Sequence, residues 1–275
     1  MKLSIITINY NNNSGLEKTI ESIVNQTYKD FEYIIIDGGS TDASVETIKK
    51  YASKISYWIS EPDKGVYNAM NKGIKVAKGN YVIFMNSGDT FFYKNTLEIA
   101  VNYFTSEKDI YYGNALYYND KGCERLENNP ENLSFWHLKT FGINHQATFL
   151  KRILFEKIGF YNEQLKICSD WEFLLKALIK HQASYQKIQA TICRYDFSGI
   201  SANPANHNLY LAEKDSILKN TFSILYNDSF LLDEIHSKRF KQILHIKKHP
   251  ISWKLFKPLI SIFILFLPKN KKLNA

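Results

Sequence analysis

The sequence predicts an α/β protein built on a mostly parallel, doubly wound sheet flanked by helices. Apolar runs that are almost wholly β-branched or aromatic, residues 3–8, 33–36 and 81–85, alternate with segments whose apolar residues recur at helical spacing. That is the pattern of buried parallel strands joined by crossover helices. Two of the runs empty onto acid-bearing turns, Asp37-Gly38-Gly39-Ser40-Thr41-Asp42 and Asn86-Ser87-Gly88-Asp89. Such turns at strand carboxyl ends are where open α/β sheets bind ligands. Both carry carboxylate, so the expected partner bears a cation or is rich in hydroxyl and N–H donors rather than being a bare anion.

Residues 3–8 read as the first strand, and the loop 9–14 leads into Ser14-Gly15-Leu16-Glu17, a capping-box signature. Leu16, Ile20, Ile23 and Val24 then recur at helical spacing. Residues 33–36 form a second strand, Val45, Ile48 and Ala52 mark a second helix, and 55–59 read as a third strand. A helix over 66–78 is expected to stop at Gly79, a residue favoured just past helix ends, before the strand 81–85. Three strand-helix-strand units predict parallel pairing. Farther along, 95–104, 150–158 and 171–180 read as helices and 110–118 and 184–194 as strands. Residues 119–134 read as a polar loop, and 206–222 begin a helical C-terminal part. The turn after the first strand, Asn9-Tyr10-Asn11-Asn12-Asn13, lacks G-x-G-x-x-G, which removes the main support for a nicotinamide dehydrogenase.

At 275 residues and 45% hydrophobic content the chain can bury one sizeable core with one small appendage. The net charge of +8 is unevenly placed, because residues 235–275 hold ten Lys or Arg and no acid. The remaining 25 basic and 27 acidic residues nearly cancel. Among the C-terminal lysines lies the apolar run 259–267, far short of the roughly 20 residues a spanning helix needs. Basic and apolar residues interleaved in this way suit a helix lying on an anionic cytoplasmic leaflet; the alternative is a helix packed on the core with its lysines outward. The aromatics of this tail follow no stacking pattern, so nucleic acid is not an expected partner. The start of the chain reads as a strand and not as a leader, and Cys123, Cys168 and Cys193 have no metal spacing. Reduced thiols and a cytoplasmic location, peripheral at the inner face of the membrane, are the expectation.

Five segments in order then carry a resemblance: Leu3-Ser4-Ile5-Ile6-Thr7-Ile8-Asn9-Tyr10-Asn11; Ser22-Ile23-Val24-Asn25-Gln26-Thr27; Ile36 through Asp42; Asp63-Lys64-Gly65 with Asn68-Ala69-Met70-Asn71-Lys72-Gly73; and Asn86 through Asp89. Together they resemble the motifs of the family 2 inverting glycosyltransferases, nucleotide-sugar enzymes of the GT-A fold. The likeness covers residues 3 to about 200. It implies a Rossmann-like, mostly parallel mixed sheet in a catalytic domain over 1–225, with a nucleotide-sugar part to about 115, an acceptor part after it, and a helical tail over 226–275.

Such transfer must stabilise a departing diphosphate and remove the proton of the attacking hydroxyl, two tasks for two acidic sites. The resemblance assigns Thr7, Asn9 and Asp37 to the nucleoside, Lys64 and Asn71 to the diphosphate, and Asn86 to the ribose. Asp37 could equally form an Asx-turn into the next helix. The D-x-D motif of the family is altered, with Asn86 for its first acid and Gly88 for its second. Asp89 is then the carboxylate left to approach Mg²⁺ or Mn²⁺, and weak or altered metal dependence is the expectation. Asp170, in Cys168-Ser169-Asp170-Trp171-Glu172, matches the acidic motif of the general base; Glu172 is the lesser candidate, and an N-cap is the plainer role. His145 could line the acceptor site, and Ser198 resembles part of a segment closing over the donor. The expected function is transfer from a nucleotide sugar, UDP-linked, to a lipid-linked or saccharide acceptor in capsule or O-antigen assembly. A nucleotide-sugar-binding protein without turnover and a nucleotidyltransferase are the alternatives.

Overall fold

The computed structural model describes residues 3–119, 122, 124–197, 199 and 203–266. The chain divides into two compact units, Met1–Ile217 and Leu218–Ala275. The first unit opens with β1 (Leu3–Asn9), α1 (Asn13–Val24), β2 (Phe31–Asp37), α2 (Ser44–Lys50), β3 (Tyr57–Ser60), α3 (Val66–Val76) and β4 (Tyr81–Phe84). After these come β5 (Thr90–Phe91), α4 (Thr96–Val101), β6 (Ile110–Tyr118), β7 (Glu124–Glu127), α5 (Phe135–Thr140), β8 (Thr148–Lys151), α6 (Ile153–Ile158), α7 (Ser169–Leu175) and β9 (Tyr185–Asp196). The helix α8 (His207–Thr221) runs across the boundary between the units.

The described strands form one mixed sheet in the order β3-β2-β1-β4-β8-β6-β9-β5, with β7 on β6. The expected parallel half is present, since β3, β2, β1 and β4 pair in parallel. Antiparallel pairing enters at β4–β8 and β6–β8, and β6–β9 is parallel again. Both faces of the parallel half are covered, which explains why its strands are apolar without alternation. On one face Ile5, Tyr33, Ile35 and Ile83 share a cluster with Leu16, Ile20 and Ile23 of α1. On the other lies α3, so close that a Cβ on Gly73 would stand 2.5 Å from Ile6 Cγ2.

Several local expectations change. The cap of α1 is Asn12, whose side chain accepts from the Gly15 N–H, and not Ser14. The third strand begins at Tyr57, after a 3₁₀ turn over Ala52–Lys54. The helix α3 ends at Val76, and Gly79 serves a close approach: a Cβ there would lie 2.5 Å from the Ser4 backbone N. Residues 150–158 divide between the end of β8 and α6, because Val82 and Ile110 each pair with Leu150. The polar loop contains β7, an exposed strand that pairs with Ala115 through Tyr118. The helix begun by α7 continues as a π-helical turn, Lys176–Lys180. Cys168 and Cys193 are buried free thiols, and Cys123 lies outside the described residues.

The second unit comprises the end of α8 with α9 (Ser223–His236), α10 (Lys238–Lys247) and α11 (Pro250–Leu265). Along α11, Ile251, Leu255, Leu259 and Phe263 recur every fourth residue and are 80%, 71%, 51% and 72% exposed. Among the described residues no helix is long and apolar enough to cross a membrane.

Gly79→Ala forces a methyl group against the β1 backbone, a clash that flexible side chains cannot absorb. The substitution is expected to cost about 1–3 kcal/mol in urea unfolding.

Candidate active site

The carboxyl ends of the parallel strands form one pole of the site. The register sets Asn9 opposite Asp37 and Asp37 opposite Ser60. The fully buried Asp37 carboxylate collects four hydrogen bonds there. Its Oδ1 accepts from Asn9 Nδ2 (2.7 Å) and Ser40 Oγ (2.6 Å), and its Oδ2 from the Ser40 N–H (2.9 Å) and Ser60 Oγ (2.6 Å). Burial alone would raise its pKa, but the bonds from Ser40, Ser60 and Asn9 prevail and hold it below the ordinary value. Ser87 Oγ then donates to Asn9 Oδ1 at 2.7 Å, joining this pole to the turn after β4. Thr7 stands deeper, fully buried, its hydroxyl donating to Met85 O and bonded to Tyr33 OH.

The second pole surrounds Asp170 at the start of α7. Tyr67 OH donates to Asp170 Oδ1 at 2.8 Å, and His145 Nδ1 lies 2.7 Å from Oδ2. The far ring nitrogen of His145 meets Asn86 Nδ2 at 3.2 Å. With Asn86 donating to Nε2, the imidazole proton sits on Nδ1 and points at the carboxylate. Burial opposes ionisation of Asp170, but His145, Tyr67 and the Trp171 backbone N–H together hold its pKa below the ordinary value. Burial and the adjacent Asp170 push the Tyr67 phenol upward, so it stays a donor.

The surrounding frame is anchored by residues that sequence reasoning did not select. Glu213 of α8 accepts from the backbone N–H groups of Lys166, Ile167 and Cys168, fixing the approach to Asp170. Lys214 lies 4.6 Å over the Trp171 ring, and burial lowers its pKa to about 8. A cavity of about 270 Å³ opens beside Tyr67, with Lys64, Gly65, Lys166 and Leu209 in its wall. These groups belong to segments more than 40 residues apart, which explains why no local motif announced them.

Other expected site residues have structural partners. Asn71 is buried, its amide spanning the Tyr161 backbone and Glu163, and Glu172 pairs with Lys176 at 2.8 Å. Lys64 is exposed at the cavity wall, and Ser198 lies outside the described residues. Asp89 likewise has both carboxylate oxygens taken within the protein. It is 3% exposed, with Oδ1 accepting from the Asp196 N–H and Oδ2 from Gln146 Nε2, both at 2.8 Å. Burial pushes its pKa up to about 7 against those two bonds.

The implied cation can be tested against this turn. Among the described residues no group of three His, Cys, Asp or Glu side chains could hold a metal. A cation bound through a substrate diphosphate needs only one or two protein carboxylates, however, because phosphate and water oxygens complete its shell. Asp89 in the turn and Asp196 from the end of β9 beside it carry such oxygens, and the amide oxygens of Asn86 and Gln146 are buried without a partner. The residues present therefore fit a phosphate-anchored Mg²⁺ or Mn²⁺.

A mixed sheet whose parallel strands end in a polar pole, with the Asp170 carboxylate reached from that pole through Asn86 and His145, is the architecture of a GT-A glycosyltransferase. The model of the glycosyl transferase family 2 matches residues 4–167, and the chain belongs to that family. It is 32% identical over 207 residues to an uncharacterized glycosyltransferase of Mycobacterium tuberculosis, covering 73% of this chain and 77% of the relative. It is 28% identical over 204 residues to a PGL/p-HBAD biosynthesis glycosyltransferase of Mycobacterium bovis, covering 72% and 78%. Among solved structures, S. aureus TarS 1–349 in complex with UDP-GlcNAc superposes with a TM-score of 0.64 at 22% identity, over 84% of this chain and 73% of that one. The mannosyltransferase PcManGT of Pyrobaculum calidifontis, in complex with GDP-Man and Mn²⁺, gives 0.56 at 16% identity, over 82% and 64%. Family membership makes the chain a glycosyltransferase in place of the nucleotidyltransferase or non-catalytic alternative.

Asp37→Asn removes the charge that organises three strand ends and is expected to cost about 1–3 kcal/mol at neutral pH. Because the folded pKa is depressed, the contribution is complete above the unfolded value of 3.8 and is lost as pH falls through the folded one. Urea unfolding should show a gap between wild type and variant at neutral pH that closes in acid.

Proposed function

We propose that this enzyme moves a sugar from a nucleotide-linked donor, a UDP-sugar in this reading, to a hydroxyl of a lipid-linked or saccharide acceptor in surface-polysaccharide assembly, such as capsule or O-antigen. The observation that carries the reading is the Asp170 carboxylate, ionised and held between Tyr67 and His145. An acceptor hydroxyl that hydrogen-bonds Asp170 loses its proton to that carboxylate as its oxygen attacks the anomeric carbon. The bond from that carbon to the diphosphate oxygen breaks in the same step, inverting the centre. His145 and Tyr67 orient the base, and Asn86 holds His145 in its orienting tautomer. The Asn9–Asp37 pole binds the nucleoside side through a fixed polar floor, and Lys64 approaches the diphosphate. The acid-bearing ground beside the turn after β4 is where Mg²⁺ or Mn²⁺ would be held, and such an ion, when bound, neutralises the leaving diphosphate. The nucleotide-sugar donors named for TarS and PcManGT, and the PGL/p-HBAD biosynthesis named for the Mycobacterium bovis relative, support this reading.

In this reading the enzyme lies peripherally on an anionic cytoplasmic membrane face, near a lipid-linked acceptor, and the exposed apolar row of α11 with the lysines beside it supports that. The full chain should co-sediment with vesicles containing phosphatidylglycerol in preference to phosphatidylcholine alone. Equal recovery from both would remove the membrane from the account.

Asp170→Asn should lower transfer by about 10²–10⁴-fold while nucleotide-sugar binding stays near wild type. Transfer persisting at the wild-type rate would assign the base elsewhere.

A further inference from the structure

We propose that Asp196, and not Asp89, is the carboxylate that contacts the divalent cation of the donor diphosphate, replacing from β9 the acid that the turn after β4 lacks. The inference rests on the nucleotide-sugar reading above. In the sequence Gly88 stands where the related D-x-D motif has its second acid. In the fold, a Cβ built on Gly88 would lie 3.0 Å from Asp196 Oδ2, 3.5 Å from its Cβ and 3.7 Å from its Cγ. The space that a side chain at position 88 would enter is thus taken by a carboxylate delivered from another strand.

That delivery is built in, since Asp196 is the last residue of β9, where the strand pairs with β6 opposite Tyr118. Tyr118 OH donates to the Gly88 carbonyl at 2.7 Å, and the Phe197 N–H donates back to the Tyr118 carbonyl at 2.8 Å. The Asp196 N–H in turn donates to Asp89 Oδ1. Gly88 itself has φ +105°, a conformation that side-chain-bearing residues rarely adopt, so an acid at position 88 would be strained.

The two carboxylates divide the work by burial. Asp89 is sealed at 3% exposure, with one oxygen on the Asp196 backbone and the other on Gln146, while Asp196 is half-buried at the strand end. A cation shared with a diphosphate needs its protein oxygen at the wall of the cleft rather than beneath it. Gln146, 2% exposed and bonded to Asp89, has an amide oxygen without a partner in the same neighbourhood, a neutral donor of the kind hard cations accept. Asp89 is accordingly a positioning residue that fixes the Asp196 backbone.

The test measures Mn²⁺ binding to the full chain by electron paramagnetic resonance of the free ion, with and without UDP or GDP. The wild type should bind Mn²⁺ in the presence of one of these nucleotides. Asp196→Asn and Asp196→Ser should each weaken that binding at least tenfold while leaving metal-free nucleotide binding unchanged, and Asp196→Glu should recover part of it. Two substitutions guard against a folding defect in either one, which circular dichroism would reveal. If the wild type binds Mn²⁺ with neither nucleotide, the cation reading itself fails. If it binds and the folded Asp196 variants bind equally well, Asp196 is not the ligand and the inference alone is overturned.

Discussion

The buried Asp37 carboxylate is the constraint on which the cleft depends. Parallel register brings β1, β2 and β3 to an end at one level, and Asp37 ties Asn9, Ser40 and Ser60 to that level through four hydrogen bonds. A buried charge is tolerated only when its lone pairs are filled, and here they are filled entirely by the strand ends and the turn that follow from the fold. The same bonds that stabilise the charge therefore hold Asn9 with its amide oxygen toward Ser87.

From that point a continuous polar path crosses the cleft. Ser87 touches Asn9, Asn86 beside it meets His145, His145 meets Asp170, and Asp170 meets Tyr67. The Asn9–Asp37 pole and the Asp170 carboxylate are thus parts of one network, although the elements that supply them span residues 9 to 170. Asn86 is separated from Asp170 by a single imidazole. Glu213, gripping the three backbone N–H groups before Ser169, fixes the chain leading to Asp170 from behind.

The parallel half of the fold was legible because strands buried on both faces must be apolar throughout, so residues 3–8, 33–36 and 81–85 could be read directly. The mixed half was harder for the opposite reason. β7 is exposed and polar, Glu124-Arg125-Leu126-Glu127, and looks like loop; β8 is four residues long and runs almost directly into α6. At the site, Asp170 and His145 were singled out by separate segments and their contact was not foreseen, whereas Asn71 and Glu172 proved to have structural partners. Asp196 was missed because the last strand was read as ending at Arg194. One more turn of the rule that found Asp37, an acid at a strand's carboxyl end, would have pointed to it. Tyr67 and Gln146 carried no local signal, since their partners are distant in sequence.

The chemistry at the centre of this account is one in-line displacement, with Asp170 taking a proton while the diphosphate departs from the opposite face. Its stereochemical consequence is fixed by the absence of any covalent sugar–enzyme intermediate in the proposed step. The most direct measurement is the anomeric configuration of the product by proton NMR, from a nucleotide sugar of known configuration and an acceptor that the enzyme uses. A single displacement predicts a glycosidic bond of inverted configuration; a product with the donor's configuration retained would contradict it.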